Sequence, residues 1–344
     1  MRVRGKARLY AVGTAVAAFA LSACARANLP QNTLAPQGPE AEKIDRLFQP
    51  VFWIAVGVFV LVEGALVYFS LRYRHRPGRG VPVQVHGNKR LEITWTVIPA
   101  VLLAAIAVPT IGTIFGLARV PPDAMRIQVT GHQWWWEVHY PPQASRGVTK
   151  DVVTANEIHI PTGIPIEIQL TSKDVIHSFW IPRLAGKQDL EPNHRTHLTL
   201  EAPNPGTYFG QCAEFCGLSH ANMRMRVIAQ TPADFQGWVQ QQLQPAQAPP
   251  PDVLAIMQRS GVSCNGCHTI DGVEGFAGTV GPNLTHFAAR SAFAGDTFVR
   301  NDDNLAKWLH DAPGMKPGAD MPNFSQQLSA ADVDALVAYL DGLK

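Results

Sequence analysis

The chain has 344 residues, 46% hydrophobic and 16% charged, which excludes a disordered or low-complexity protein and allows two or three domains. Its 29 Lys and Arg against 27 Asp and Glu leave a net charge of +2, too weak a field to hold nucleic acid by phosphate neutralisation. Five cysteines, at 24, 212, 216, 264 and 267, form two close pairs and a singleton, which fits separate chemical sites better than a disulfide framework.

Arg2, Arg4, Lys6 and Arg8 precede an apolar run from Leu9 to Leu21, the layout of a secretory signal over residues 1–23. The run closes on Leu21-Ser22-Ala23-Cys24, which resembles the lipobox of bacterial lipoproteins and would make Cys24 an acylated amino terminus. A plain signal peptide and an uncleaved anchor are the other readings. Residues 45–120 then hold two apolar stretches, at about 51–71 with only Glu63 inside and about 93–118 without a charge. Each suffices for a transmembrane helix of about 20 residues, and together they make a hairpin. The connection carries Arg72, Arg74, Arg76, Arg79, Lys89 and Arg90, which puts it in the cytoplasm and both chain ends on the extracytoplasmic side. Glu63 is expected to face a partner helix or stay protonated.

From residue 121 to about 235 the pattern becomes short alternating runs, Ile127 and Val129 among polar neighbours, then Ile164, Ile166, Ile168 and Leu170. Period two with Pro and Gly punctuation predicts half-buried strands, and runs near 152–160, 196–202 and 223–229 extend them into a small antiparallel sandwich or barrel. In Trp134-Trp135-Trp136 at least one indole must leave the core, because alternate strand positions face opposite ways. His194 and His197 lie three apart on a strand and point to opposite faces, and His159 reads as an ordinary strand residue.

One loop concentrates chemistry: Cys212, Glu214, Cys216, His220 and Met223 fall within Gln211–Met223. Soft sulfur ligands with imidazole select copper, and a thioether suits zinc poorly, so the set predicts a copper electron-transfer site with thiolates able to bridge two metals. His177, just past the strand ending near Thr171, is the best candidate for a second imidazole. A Cys212–Cys216 disulfide and a structural zinc site are competing readings, and neither employs Met223.

Residues 240–251, rich in Gln and Pro, predict a linker with a reach of at most roughly 37 Å, enough to hold a second module at millimolar effective concentration. That module, residues 252–344, opens with a helical pattern and then Cys264-Asn265-Gly266-Cys267-His268, the covalent haem c signature, in which two thiols take the vinyl groups and the His reaches iron. A thioredoxin-like pair would need a neighbouring βαβ pattern, which is missing. Met315 and Met321 compete for the second axial position, and Pro317 and Pro322 bracket Met321 on a stiffened loop. Ser329 with Asp332 predicts the start of a final helix.

The hairpin, Gly131-His132-Gln133-Trp134-Trp135-Trp136, the segment from Asp174 to Trp180 and the C-x-x-x-C-x-x-x-H-x-x-M loop together resemble subunit II of cytochrome c oxidase over roughly residues 45–232. The C-x-x-C-H segment, Gly281-Pro282-Asn283-Leu284 and Met321-Pro322 resemble a class I cytochrome c, and the combination is similar to the caa-type oxidases. The resemblance implies a two-helix transmembrane hairpin, an all-β cupredoxin-like domain and an all-α cytochrome c domain. It implies a dinuclear Cu(A) centre liganded by His177, Cys212, Cys216, His220, Met223 and the Glu214 carbonyl, with the Glu214 side chain reaching a magnesium at the interface with subunit I. Haem c would be attached through Cys264 and Cys267, with His268 and Met321 on its iron. Trp134 would receive electrons for the copper. Glu92, on spacing alone a hydrated interfacial charge, would mark the entrance of a proton path.

The resulting expectation is the electron-input subunit of a respiratory oxidase in the bacterial plasma membrane. It takes electrons from a cytochrome c donor through haem c and Cu(A) to subunit I, which reduces dioxygen and pumps protons, with subunit III as a further partner. The chain alone would carry electron transfer only. The alternatives are the equivalent subunit of a Cu(A)-containing nitric oxide reductase and a periplasmic copper-delivery lipoprotein.

Overall fold

The computed structural model describes residues 29–74, 78, 80, 83, 84 and 86–344, so the signal segment and Cys24 lie outside the described residues. Helix α1 (Pro39–Arg72) starts well before the apolar run, because Pro39 suits the first helical position and Glu40 and Glu42 favour the positive end of the helix dipole. Its 34 residues span about 51 Å, more than a ~30 Å hydrocarbon layer needs. The excess is used at the start: Gln37 and Gly38 N–H donate to the Arg183 carbonyl at 2.7 and 3.1 Å, and Ala41 N–H to Leu184 at 3.1 Å. Gly38 permits this approach, since a Cβ there would stand 2.6 Å from the Leu184 and Glu201 oxygens.

Helix α2 (Lys89–Leu117) is capped by Asn88, whose side chain accepts from the Arg90 and Leu91 amides, while Glu92 Oε1 accepts from the Asn88 amide at 3.1 Å. Among the described residues α1 and α2 are the helices long and apolar enough to cross a membrane. Their apolar side chains, Phe59, Leu61, Leu103 and Phe115 among them, point outward, the arrangement required of helices whose solvent is lipid or other helices.

Ten strands follow as two five-stranded sheets. One has the order β3 (Val152–Ala155), β2 (Trp135–Tyr140), β1 (Met125–His132), β5 (Ile166–Ser172), β8 (Thr196–Leu200). The other has β4 (Glu157–Pro161), β10 (Arg224–Gln230), β9 (Gly206–Cys212), β6 (His177–Trp180), β7 (Lys187–Leu190). The alternation read from the sequence is the burial pattern: Ile127, Val129, Ile166 and Ile168 are fully buried between the sheets. The sandwich is not wholly antiparallel. β1 pairs with β5 and β4 with β10 in parallel, pairings that need the chain to leave one sheet and return, which a hairpin cannot do. Tyr140 ties the sheets together, donating from its hydroxyl to the His159 carbonyl at 3.1 Å and accepting the His159 amide at 2.7 Å.

Helix α3 (Pro232–Gln242), capped by Thr231, covers one end of the sandwich with Phe235 and Trp238, and Trp238 stacks on His159. The last third joins α4 (Pro251–Gln258), α5 (Cys264–Cys267), α6 (Asp302–His310), α7 (Ala312–Met315) and α8 (Ala330–Leu340) through long loops and a two-residue ladder. Ser329 and Asp332 form a reciprocal capping box at α8, whose Leu336 and Leu340 close a core with Met257, Phe276 and Leu305.

Candidate metal centre and haem cavity

The copper-loop residues converge. β9 ends at Cys212 and β10 starts at Arg224, so two adjacent antiparallel strands hold both ends of the loop, and β6 beside β9 delivers His177. Cys212 Sγ lies 3.8 Å from Cys216 Sγ, 3.9 Å from His177 Nδ1 and 3.2 Å from the Glu214 carbonyl oxygen. Cys216 Sγ is 3.5 Å from His220 Nδ1 and 3.8 Å from Met223 Sδ. Both cysteines are free thiols, and with His177 they form a cluster able to hold a metal. The hydrogen bond between the two thiols draws Cys212 down and pushes Cys216 up.

His177 is fully buried and cannot turn freely. Its Nε2 meets Asp174 Oδ1 at 2.8 Å, leaving Nδ1 toward the sulfurs. Burial draws His177 down, but Asp174 and Cys212 outweigh it and hold the ring above its ordinary value. Gly131 makes room, since a Cβ there would lie 2.7 Å from His177 Cδ2. The donor set of two sulfurs, two imidazole nitrogens, a thioether and a carbonyl suits copper.

Trp135 and Trp136 part as the strand geometry requires, whereas Trp134 lies in the turn between β1 and β2. Trp136 is in the core, Trp135 turns to the other face and stacks on His132 at 4.3 Å, and Trp134 sits at a junction. Trp134 Nε1 donates to the Cys216 carbonyl at 3.0 Å, and Gln133 Nε2 donates to the same oxygen at 2.7 Å. The other side of Trp134 lines a cavity of about 480 Å³.

That cavity is also walled by Cys264, Cys267, His268 and Met321, whereas Met315 is not among its lining residues. His268 Nδ1 meets the Pro282 carbonyl at 2.7 Å, which fixes the ring and leaves Nε2 available to iron. Gly281 and Gly278 keep the approach clear: a Cβ would come within 2.5 Å of the His268 ring and of the Cys267 backbone, respectively. A volume in the ligand-site range, lined by two thiols, an imidazole and a thioether, fits haem c.

Three residues near these sites escaped the sequence. Asp174 lies three positions before His177, a spacing that marks it as a partner for the ring. Arg290 and Lys316 also line the cavity and are buried, and they reach the site from loops with no motif. Burial pushes Lys316 down to about 7 and Arg290 down to about 10.

Fold and site together define a membrane-anchored protein of the electron-transfer class, with a cluster of donor atoms suited to copper beside a cavity suited to haem c. Three family descriptions match in succession: the transmembrane domain of cytochrome c oxidase subunit II over residues 30–112, its periplasmic domain over 125–230, and cytochrome c over 256–344. Cytochrome c oxidase subunit 2 of Alkalihalophilus pseudofirmus is 38% identical, covering 90% of each chain, and that of Bacillus subtilis is 32% identical, covering 94% of each. The solved periplasmic domain of subunit II of the cytochrome oxidase of Bradyrhizobium japonicum is 29% identical, covering 36% of this chain and 95% of its own, with a TM-score of 0.33. The chain belongs to the cytochrome c oxidase subunit 2 family, in the form that carries a cytochrome c domain, and is a subunit of an oxidoreductase complex.

Proposed function

We propose that the chain is the electron-input subunit of a respiratory oxidase, taking electrons from a cytochrome c and delivering them to subunit I, which reduces dioxygen and pumps protons. The observation that carries this reading is Trp134, which lines the haem cavity on one side and donates to the copper loop on the other. When bound, copper and haem c supply one-electron chemistry. The protein's own part is to hold donor atoms in place before a metal arrives. Asp174 orients His177, β9 and β10 brace Cys212, Cys216, His220, Met223 and the Glu214 carbonyl, which would hold copper, and Cys264 and Cys267 would anchor haem c while His268 and Met321 would hold its iron. With their sulfurs 3.8 Å apart, the two thiols would hold a dinuclear copper centre between them.

Around the copper loop Phe215 and Leu218 are 76% and 74% exposed and the Glu214 side chain is also exposed. An apolar rim with a carboxylate at its edge suits contact with subunit I and a magnesium held by Glu214 at that contact. Subunit III completes the assembly. The soluble domains then lie on the periplasmic side, Cys24 is the acylated amino terminus after removal of the signal, and Glu92 stands at the cytoplasmic end of α2 as the entrance of a proton path.

Purification of the intact complex tests the reading. Cytochrome c-driven dioxygen consumption is expected, and nitric oxide consumption without dioxygen reduction would overturn it. The same preparation yields the mass of the mature amino terminus and the magnesium content, which test Cys24 and Glu214.

A further inference from the structure

The cytochrome module meets the β sandwich along a seam made of specific polar contacts. Lys316, 3% exposed, donates from Nζ to the Trp134 carbonyl at 2.6 Å and to Ala294 at 2.8 Å. The Arg224 amide donates to the Gly295 carbonyl at 2.8 Å and Thr297 Oγ1 to the Asn222 carbonyl at 2.8 Å. Ser219 Oγ donates to Pro317, and Arg290 Nε to Thr154 Oγ1 at 3.2 Å. Glu157 accepts the Ser291 amide at 2.7 Å, and Arg226 pairs with Asp296. Shape matches chemistry: a Cβ on Gly295 would lie 2.5 Å from the Trp134 oxygen, and one on Gly318 would lie 2.6 Å from the Trp134 ring. Trp134 is only 9% exposed beneath these loops.

The connection between the two domains is not slack either. The Ala246 amide donates to Asp271 at 2.9 Å, the Tyr339 hydroxyl donates to Gln247 at 3.0 Å, and Gln244 meets His286 at 3.0 Å, so the linker lies on the module it leads to. A tether that merely raised local concentration would need neither this packing nor buried charges, which are costly unless their partners stay in place.

We propose that the cytochrome module is a stationary relay clasped to the copper domain by this seam, with Lys316 as the residue that positions it on Trp134. The seam closes Trp134 to external redox partners, so a soluble donor must deliver its electron to the cytochrome module. The electron direction rests on the proposed function; the clasp itself does not.

The test replaces Ala248-Pro249-Pro250 in the full chain by a protease site and cuts there. With the native seam the cytochrome fragment stays with the copper domain on gel filtration, in metal-free and copper-loaded protein alike, and haem-to-copper electron transfer after photoreduction stays first order at an unchanged rate. Lys316→Met is expected to release the fragment after cutting and to slow transfer in the uncut chain. Thr154→Lys, which sets a second cation against Arg290 from the copper side, should release it too. Removing one partner of a buried polar pair weakens such contacts by roughly thirty-fold or more. The haem spectrum of each variant reports whether the module is folded. Release of the fragment from the native seam overturns the proposal, as does full retention with an unchanged transfer rate in both variants. Retention in copper-free protein with no electron transfer on copper loading would leave the clasp standing and sink the electron-transfer reading instead.

Discussion

Asp174→Asn tests the carboxylate that orients the buried imidazole proposed to ligate copper. The carboxylate takes His177 Nε2 at 2.8 Å, and it also accepts the Gln133 amide at 2.7 Å and the Val175 amide at 2.6 Å. Burial alone would raise the Asp174 carboxyl, yet these bonds hold it below its ordinary value, so an anion faces the ring. Asparagine keeps the shape, and its single oxygen can stay with the Val175 amide and the ring, but the NH2 then faces the Gln133 amide and that bond goes. It also loses the charge that holds the proton on Nε2 and makes Nδ1 a better donor. Outer partners of ligating histidines are worth about 10–100-fold in metal affinity, or about 1.4–2.7 kcal/mol, in line with the ~1.5–3 kcal/mol of a hydrogen bond to a charged group. Competition of the purified chain against a copper chelator at neutral pH measures it. An Asp174→Asn affinity indistinguishable from that of the parent would refute the orienting role of this carboxylate.

Three further outcomes are expected. Met321→Ala should abolish the sulfur-to-ferric-iron absorption and lower the haem potential while Met315→Ala leaves both in place; the reverse pattern would move the axial role to Met315. Glu92→Gln should slow turnover and shift its pH dependence in the intact complex, and an unaltered profile would reduce Glu92 to the cap of α2 that the structure already shows. At the seam, burial pushes the Asp296 carboxyl up to about 6, with Arg226 and Arg224 opposing and Glu157 adding to the rise. The folded state therefore holds a proton that the unfolded state releases near 3.8, so this group's contribution is present below pH 3.8 and lost as pH rises through 6, on the order of 3 kcal/mol. The difference in urea midpoint between the parent and Asp296→Asn, followed at the haem band from pH 4 to 7, should change with that sign; a constant difference would show that Asp296 titrates normally.

The convergence of the candidate site residues was legible because most of them are local in sequence. Cys212, Cys216, His220 and Met223 share one loop, and Cys264, Cys267 and His268 share one turn, so spacing sufficed to place them. Strand alternation gave the inward faces of β1 and β5 because both sheets bury one side. The parallel pairing of β1 with β5 and β4 with β10 leaves no such mark, since periodicity records which face is buried and says nothing about the neighbouring strand. The docking of α1 through Gly38 on Leu184, and of Lys316 on Trp134 across 182 positions, is likewise a product of tertiary packing. The Gln- and Pro-rich linker composition suggested freedom, whereas Gln244, Ala246 and Gln247 are bonded to the cytochrome module.

The central claim is that this loop carries a two-copper, thiolate-bridged site feeding an oxidase. Copper loading of the purified full chain, followed by metal analysis and EPR on the same sample, tests it most directly. Two coppers per chain and a seven-line signal from one electron shared between them are predicted. One copper with a four-line signal, or two zinc-exchangeable ions and no shared electron, would contradict it.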